Sequence, residues 1–248
     1  MAITEKALSE SFDNGFGTLG NAWNVDHSVK GEIKLAGHSG IMEWATGRDA
    51  GHGYGTYTVN AKVDGNQPGP GIVFWPGNDQ WPGQEIDLLE VTPDGSGRQY
   101  GTVHWNEGGS DAYETRIFEG VESGVFHDYQ MIWEPGRITF KVDGAEKGVI
   151  TDHVPLDFAS GGMNNTIGFL NNNHDTSLTV RHVEFTPLGE TAPDSAPAFT
   201  PEFGPIILPA PEESVITPDV ASHDGPVDWN AIAAQVMANY AATGSWHL

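Results

Sequence analysis

The run QEIDLLEV places three acids, Glu85, Asp87 and Glu90, inside a short apolar segment. On a regular strand the side chains alternate between faces, so Glu85 and Asp87 share one face while Glu90 points away. One extra residue, accommodated as a β-bulge at Leu88 or Leu89, shifts this phase and returns Glu90 to the shared face. The spacing therefore predicts either an unrelated Glu90 or a bulged strand that carries three carboxyl groups in a row.

A row of this kind suits the cleavage of a glycosidic bond with retention of configuration. That reaction needs a carboxylate nucleophile and a carboxylic acid about 5–5.5 Å apart. With the bulge, Glu85 and Glu90 are four strand positions apart, roughly 13 Å between Cα atoms, and long side chains can lean together over a sugar. Asp87 can hydrogen-bond Glu85, so that Glu85 is ionised while Glu90 keeps a proton. Inversion through a wider spacing, or a merely solvated acidic strand, remains open on the sequence alone.

The segments around this run predict the scaffold. From about residue 10 to 187, short β-rich segments are separated by Gly, Asn, Asp and Pro, and many alternate apolar with polar residues. Alternation of this period indicates strands with one buried face. The EPGR and VDGAEKG segments supply hairpin turns. We therefore expect an all-β sandwich built from segments such as GTYTVNAKV, GIVFW, EIDLLEV, RQYGTVHW, YETRIF, HDYQMIWE, RITFKVDG, NTIGFL and SLTVRHVEF.

The composition changes after Phe185. Nine of the 16 prolines lie between residues 187 and 226, which predicts a linker or extended arm over 188–226. Asp228 is then a suitable N-cap, and apolar residues follow at helical spacing up to Gly244. The sequence thus predicts a β-sandwich over 1–187, a Pro-rich arm, and one short amphipathic helix with a tail over 227–248.

Charge and composition exclude several classes of partner. A net charge of -23, with only 11 Lys and Arg among 248 residues, argues against nucleic-acid binding and against an anionic membrane surface. The same charge favours a neutral substrate. Cysteine is absent, so disulfide and thiolate chemistry are excluded. The first residues, MAITEKALSESF, lack the pattern of a secretory signal, and no apolar run reaches membrane-spanning length.

Five blocks of this sequence together resemble glycoside hydrolase family 16, the laminarinase-like enzymes of the β-jelly-roll type. EIDLLE is similar to the bulged E-x-D-x-x-E signature of that family, and Trp81-Pro82 stands where the family has a WP pair. GTVHW follows where the family has a threonine-valine-histidine strand. FHDYQMIWEPGRITFKVDG and, upstream, GRDAGHGYGTYTVNAKV are similar to two further family blocks. The resemblance spans about residues 10–187 and implies a concanavalin-like jelly-roll sandwich.

By position, the resemblance implies Glu85 as the nucleophile, Asp87 as its helper and Glu90 as the acid/base. It also implies four substrate-binding residues. Trp81 and Trp105 would stack on sugar rings, His104 would reach a hydroxyl near the cleavage point, and Arg48 would bind hydroxyls beside the nucleophile. We assign Trp75 and Trp133 to the core, because both alternate with apolar neighbours.

One departure concerns metal. The family often binds a structural Ca²⁺ through an acid in its last strand, but Arg181 stands there in LTVRHVEF. The histidines show no H-x-x-x-H or similar spacing, so a zinc site is not expected either. The sequence therefore predicts no cofactor, with a structural Ca²⁺ as the alternative.

The sequence as a whole predicts a monomeric, extracellular, retaining endo-β-glycanase that hydrolyses β-1,3 or mixed β-1,3-1,4 glucan. Agarose and a succinoglycan-type bacterial exopolysaccharide are alternative substrates, and a transglycosylase would use the same residues. From a different class, a non-catalytic, lectin-like carbohydrate-binding module would share the fold. The three neighbouring carboxyl groups argue against that last alternative, because a binding site has no need of mutually repelling acids.

Overall fold

The computed structural model describes residues 8–43 and 45–189. The predicted short helix, and all but the first two residues of the predicted arm, lie outside this range. The described part is all-β, as expected, and holds no helix that is long and apolar enough to cross a membrane. Its strands are β1 Leu8–Glu10, β2 Asn21–Asp26, β3 Ile33–Met42, β4 Gly55–Asp64, β5 Gly71–Pro76, β6 Ile86–Val91, β7 Gln99–Glu107, β8 Ser110–Phe118, β9 His127–Glu134, β10 Arg137–Val142, β11 Ala145–Ile150 and β12 Asn165–Pro187.

The strands form one hydrogen-bonded network that folds into two layers. The front sheet runs from the start of β2 through the second half of β3, the first half of β12, then β5, β6, β7 and β8. The back sheet contains β1, the first half of β3, the second half of β12, then β4, β9, β10 and β11. The predicted hairpins at EPGR and VDGAEKG join β9 to β10 and β10 to β11.

The 23-residue strand β12 belongs to both layers. It pairs with β5 over Asn165–Leu170 and with β4 over Ser177–Pro187. Its register against β3 shifts between Asn173 and Ser177, which marks the crossing from one sheet to the other. Buried Asn171 donates its side-chain amide to the carbonyls of Leu35, Asn173 and Thr176 at 2.8–3.2 Å. Asn171 therefore pairs three backbone carbonyls at the crossing, and buried carbonyls without a partner would destabilise the fold.

The core lies between the two sheets. The alternating residues of β4 show its pattern, because Tyr57, Val59, Ala61 and Val63 are buried while the residues between them are partly exposed. Rings from opposite layers meet there, with Tyr57 and Phe74 4.6 Å apart at their centroids. Trp133 is fully buried in this core, as predicted. The outer face of the front sheet is therefore free to carry other side chains.

Candidate active site

The acidic strand β6 is bulged, as the spacing predicted. Against β5, Val73 pairs with Asp87 and Ile72 with Leu89, so Leu88 is the extra residue. Against β7 the register likewise shifts between Asp87 and Glu90. Leu88 and Leu89 are both fully buried, so the bulge is held by two apolar side chains in the core. This packing stabilises the phase shift that returns Glu90 to the face of Glu85 and Asp87.

The side chains of strand β7 show that Asp87 and Glu90 share one face. His104 Nε2 contacts Asp87 Oδ2 at 3.1 Å, and Thr102 Oγ1 donates to Glu90 Oε2 at 3.1 Å. Tyr100 also hydrogen-bonds Glu90. Positions 100, 102 and 104 alternate along a strand whose pairing with β8 is regular, so all three side chains lie on the outer face of the front sheet.

His104 links the acidic row to a further carboxylate. Its Nδ1 lies 3.0 Å from Asp111 Oδ1, at the start of β8, while its Nε2 contacts Asp87. Burial lowers the pKa of His104, but the hydrogen bonds and charges of Asp87 and Asp111 outweigh it and raise that pKa to about 9. The imidazole is therefore a cation with both nitrogens donating, and it offsets part of the negative charge of the row.

The three acids differ in their surroundings. Burial, together with the charge of Asp87, raises the pKa of Glu90 to about 7, against the lowering effect of His104 and the hydrogen bonds. Burial and the charges of Asp87 and Glu90 raise the pKa of Glu85 well above its usual range. Burial also raises the pKa of Asp87, although His104 opposes this. Each acid of the row, including Glu85, is therefore easier to protonate than a free carboxylic acid, whereas the sequence predicted an ionised Glu85 beside a protonated Glu90.

One predicted contact is not formed among the described residues. Asp87 does not hydrogen-bond Glu85, because Asp87 Oδ2 instead accepts from His104. Asp87 Oδ1 is buried and has no hydrogen-bond partner in the described part of the chain. Two neighbouring carboxylates can bond each other only by sharing a proton, whereas an imidazolium supplies its own.

An amide pair fixes the chain directly before Glu85. Buried Asn165, the first residue of β12, donates its side-chain amide to the carbonyls of Phe74 and Gln84 at 2.7 and 2.8 Å. In return, Gln84 Nε2 donates to Asn165 Oδ1 at 2.8 Å and to the Met163 carbonyl at 2.7 Å. On the other side, the amide of His104 donates to the Glu85 carbonyl at 2.9 Å. The backbone at Glu85 is therefore held by β12 on one side and by β7 on the other.

Of the predicted substrate-binding residues, Trp81 and His104 lie beside the acidic row. The ring of Trp81 stacks on Trp75 at 5.6 Å and meets the ring of His104 at 5.3 Å. Trp75 is buried, as predicted, but it belongs to a small cluster with Met42 and Val73 on the outer face of the front sheet, separate from the main core. The outer face therefore carries an aromatic surface next to the acids.

Trp105 lies on the other face of β7 from His104, and its predicted stacking on a sugar ring stays a prediction. Neighbouring residues of a regular strand point to opposite faces, so Trp105 cannot share the face of His104. Trp105 stacks on His153, with ring centroids 3.9 Å apart and the rings parallel within 2°.

The structure does not bring Arg48 to the acidic row either. Its guanidinium donates to the carbonyls of Gly161 and Gly162 at 2.5–3.1 Å, and its own carbonyl accepts from the Asn164 amide. Arg48 therefore braces the loop that leads into β12 at Asn165.

Sequence reasoning missed three partners of the site: Tyr100, Thr102 and Asp111. The alternation of β7 from His104 could have placed the first two, and the EGGS turn of the β7–β8 hairpin could have brought Asp111 near His104. Tyr100 and Thr102 border an open groove of about 360 Å³ on the Glu90 side of the row. It is lined by Glu90, Thr92, Pro93, Tyr100, Thr102, His104, Tyr113, Thr115 and Ile117.

The site does not suit a metal ion. One ligand atom each from Glu85, Asp87 and His104 lies within 4.8 Å of the others, as a metal site requires. However, both ring nitrogens of His104 are already paired with carboxylates, Nε2 with Asp87 at 3.1 Å and Nδ1 with Asp111 at 3.0 Å. At the position where calcium would be expected, the Arg181 guanidinium donates to Glu32 Oε1 at 2.6 and 2.8 Å and covers the Phe126 ring at 3.6 Å. A cationic side chain there does not fit a calcium site.

Comparisons with known proteins bear on the family and the fold of this chain. A curated relative, endo-1,3-1,4-beta-glycanase EglC of Rhizobium meliloti (strain 1021), is 30% identical over 94 residues, which are 37% of this chain and 20% of that protein. The solved Bacillus licheniformis beta-glucanase superposes with a TM-score of 0.54 at 18% identity, over 74% of this chain and 99% of the other. The laminarinase catalytic domain of Thermotoga maritima MSB8 gives a TM-score of 0.54 at 16% identity, over 72% and 96%.

The two solved structures share the fold of the described residues. The sequence profile of Glycosyl hydrolases family 16 matches residues 19–179, which include both sheets of the sandwich and the whole acidic row. The chain therefore belongs to glycosyl hydrolase family 16, and it is a glycoside hydrolase.

Proposed function

We propose that this enzyme is a retaining, endo-acting β-glucanase that cuts β-1,3 or mixed β-1,3-1,4 glucan, with Glu85 as nucleophile and Glu90 as acid/base. The observation that carries the proposal is the bulge, which aligns Glu85, Asp87 and Glu90 on one face beside an open groove. The family match supports the reaction class. The names of the Rhizobium, Bacillus and Thermotoga relatives support the choice of β-glucan.

In the first step, a carboxylate oxygen of Glu85 attacks the anomeric carbon while Glu90 donates its proton to the leaving glycosidic oxygen. The bond between that oxygen and the anomeric carbon breaks, which leaves a glycosyl ester on Glu85. Glu90, now ionised, takes a proton from water, and the hydroxide oxygen attacks the anomeric carbon and releases the Glu85 carboxylate. Each residue thus returns to its starting state.

The distribution of protons in the row matches these roles once substrate is bound. Glu90 has a pKa of about 7, so it still carries a proton in a large fraction of molecules at neutral pH. A glycosidic oxygen accepts a hydrogen bond from protonated Glu90 and none from its anion, so glycan binding favours the proton on Glu90. The His104 cation, 3.1 Å from Asp87, then offsets the charge of the ionised neighbours.

The site also suggests how the enzyme contacts the sugar and where it acts. Trp81, supported by Trp75, offers an aromatic face to a sugar ring beside His104. Arg48 holds the loop at Gly161 and Gly162 that leads into β12. We place the enzyme outside the cell, because a polymeric glucan is too large to cross a membrane. We also propose that it acts as a monomer.

The test uses a panel of polymers: laminarin, lichenan, agarose and a succinoglycan-type exopolysaccharide. New reducing ends from laminarin or lichenan are expected with the wild type, and Glu85→Gln and Glu90→Gln should each remove nearly all turnover. Glu107→Gln, which neutralises an exposed carboxylate at the end of β7, is the matched control and should retain activity. Reducing ends from agarose or the exopolysaccharide, with none from laminarin or lichenan, would contradict β-glucan as the substrate.

Stereochemistry provides the second half of the test. The first product should keep the β configuration in proton NMR spectra recorded early in the reaction. An α first product would contradict a double displacement, and full activity in Glu85→Gln would exclude Glu85 as the nucleophile.

A further inference from the structure

Trp23 lies on the same outer face of the front sheet as the acidic row, at its far edge. It pairs with Gly40 of β3, and a Cβ atom on Gly40 would fall on Cζ2 and Cη2 of the Trp23 ring. The same Cβ position lies 2.8 Å from Leu170, which packs against the cluster of Met42, Val73 and Trp75 on the outer face. The ring of Trp23 therefore lies over the glycine, and only a residue without a side chain permits this approach.

The backbone at Asn24 explains why Trp23 points outward. Asn24 has a positive φ of 52°, and its side-chain amide donates to the His38 carbonyl at 2.8 Å. The register of β2 against β3 jumps at this residue, from Trp23 opposite Gly40 to Val25 opposite Leu35. As a result, Val25 packs against the main core, whereas Trp23 remains on the outer face with 36% of its surface exposed. A non-glycine residue in this conformation carries strain, and here the strain accompanies the exposure of an indole ring.

A smooth path joins Trp23 to the acids. The cross-strand row from Trp23 continues to Gly40, then to Leu170 of β12, and then to Gly71 of β5, which lies beside β6. Two glycines and one leucine leave no bulky polar side chain across this path. Four strand spacings of about 4.8 Å place Trp23 about 19 Å from the acidic strand. That distance corresponds to several sugar rings of an extended chain.

We propose that Trp23 is a stacking platform for a pyranose ring of the bound β-glucan, several residues away from the bond that is cut. This inference rests on the proposed function and extends it. A neutral glucan suits the platform because the C–H faces of its rings are apolar and can cover an exposed indole face. The platform would give the enzyme a preference for long chains over short oligosaccharides.

The experiment measures binding without turnover. In the Glu85→Gln background, calorimetry compares Trp23→Ala with its parent on oligosaccharides of increasing length from the glucan that the wild type cleaves. Trp23→Ala should weaken the binding of long oligosaccharides by roughly three- to tenfold, the size of one aromatic contact, and should leave short ones unchanged. Trp23→Phe, which keeps a ring, should recover most of the loss and also covers the case in which the alanine variant folds poorly.

Two further variants separate the platform from a general packing effect. Gly40→Ala leaves Trp23 in place but displaces its ring, so it should reproduce the loss for long chains. Phe126→Ala removes a ring from the back sheet, where it contacts Arg181, and should leave the length dependence unchanged. An equal loss at all lengths, or no loss at any length, would overturn the platform. Failure of the proposed function is distinct, because it would appear earlier as the absence of product from every glucan.

Discussion

Neutralising Glu90 is expected to stabilise the fold at alkaline pH while it destroys activity. Burial raises the pKa of Glu90 from its ordinary 4.5 to about 7, so the folded protein holds this proton more tightly than the unfolded chain does. Between these two values the unfolded chain has lost a proton that the folded state keeps, and stability therefore falls as pH rises. Glu90→Gln cannot ionise and escapes this loss.

The size of the effect follows from the two pKa values. The interval between 4.5 and about 7, at about 1.36 kcal/mol per pH unit, gives about 3 kcal/mol. Gln keeps an oxygen that can accept from Thr102, so the hydrogen bond at 3.1 Å need not be lost. Removing the Glu90 charge also eases the ionisation of Glu85, which acts in the same direction. For a chain of this size the gain corresponds to roughly 6–12 °C in Tm.

The assay is denaturant unfolding of the wild type and Glu90→Gln at about pH 4 and about pH 8, below and above the two pKa values. The two proteins should be nearly equal in stability at the acidic pH, and the variant should be more stable at the alkaline pH. Glu107→Gln, at an exposed site, should show no such pH-dependent difference. A variant that is no more stable than the wild type at about pH 8 would refute a buried, proton-retaining Glu90.

Three further predictions concern activity and the site. The kcat/KM of the wild type on glucan should fall as pH rises through about 7, because Glu90 must donate a proton, and a rate that is unchanged up to pH 9 would contradict this role. Asp111→Asn should lower the pKa of His104 from about 9 in NMR titrations, because a negative charge 3.0 Å from its Nδ1 is lost. The control is Asp143→Asn, which changes the partner of His127 and should leave the pKa of His104 unchanged. Deletion of Leu88 should remove the bulge, turn Glu90 toward the core and abolish reducing-end release, whereas Leu88→Met should keep activity because it conserves buried volume.

The sequence predicted the features that depend on local periodicity. Alternation predicted the strands and their buried faces, and the parity mismatch at Glu90 predicted a bulge at Leu88 or Leu89, which the structure places at Leu88. The same parity rule, applied to β7, would have separated Trp105 from His104. The stacking of Trp105 on His153 joins residues that are distant in the sequence, and no local pattern signals it.

Features that depend on distant contacts were not accessible from the sequence. Arg48 contacts Gly161 and Gly162, more than 110 positions away along the chain, and no local pattern signals that contact. The Gln84–Asn165 amide pair is equally remote. The proton balance of the acidic row also depends on burial and on His104, whose position follows from the pairing of β6 with β7.

The long strand β12 has a consequence for the order of folding. It is the last described strand, yet β1, β3, β4 and β5 all pair with it, so neither sheet can be completed before it leaves the ribosome. Asn165, at its beginning, is also the residue that holds the chain in front of Glu85. Such dependence on contacts between distant segments is associated with slow folding. The nascent enzyme is therefore expected to remain inactive until nearly the whole sandwich has been synthesised, which delays the appearance of hydrolytic activity during its production.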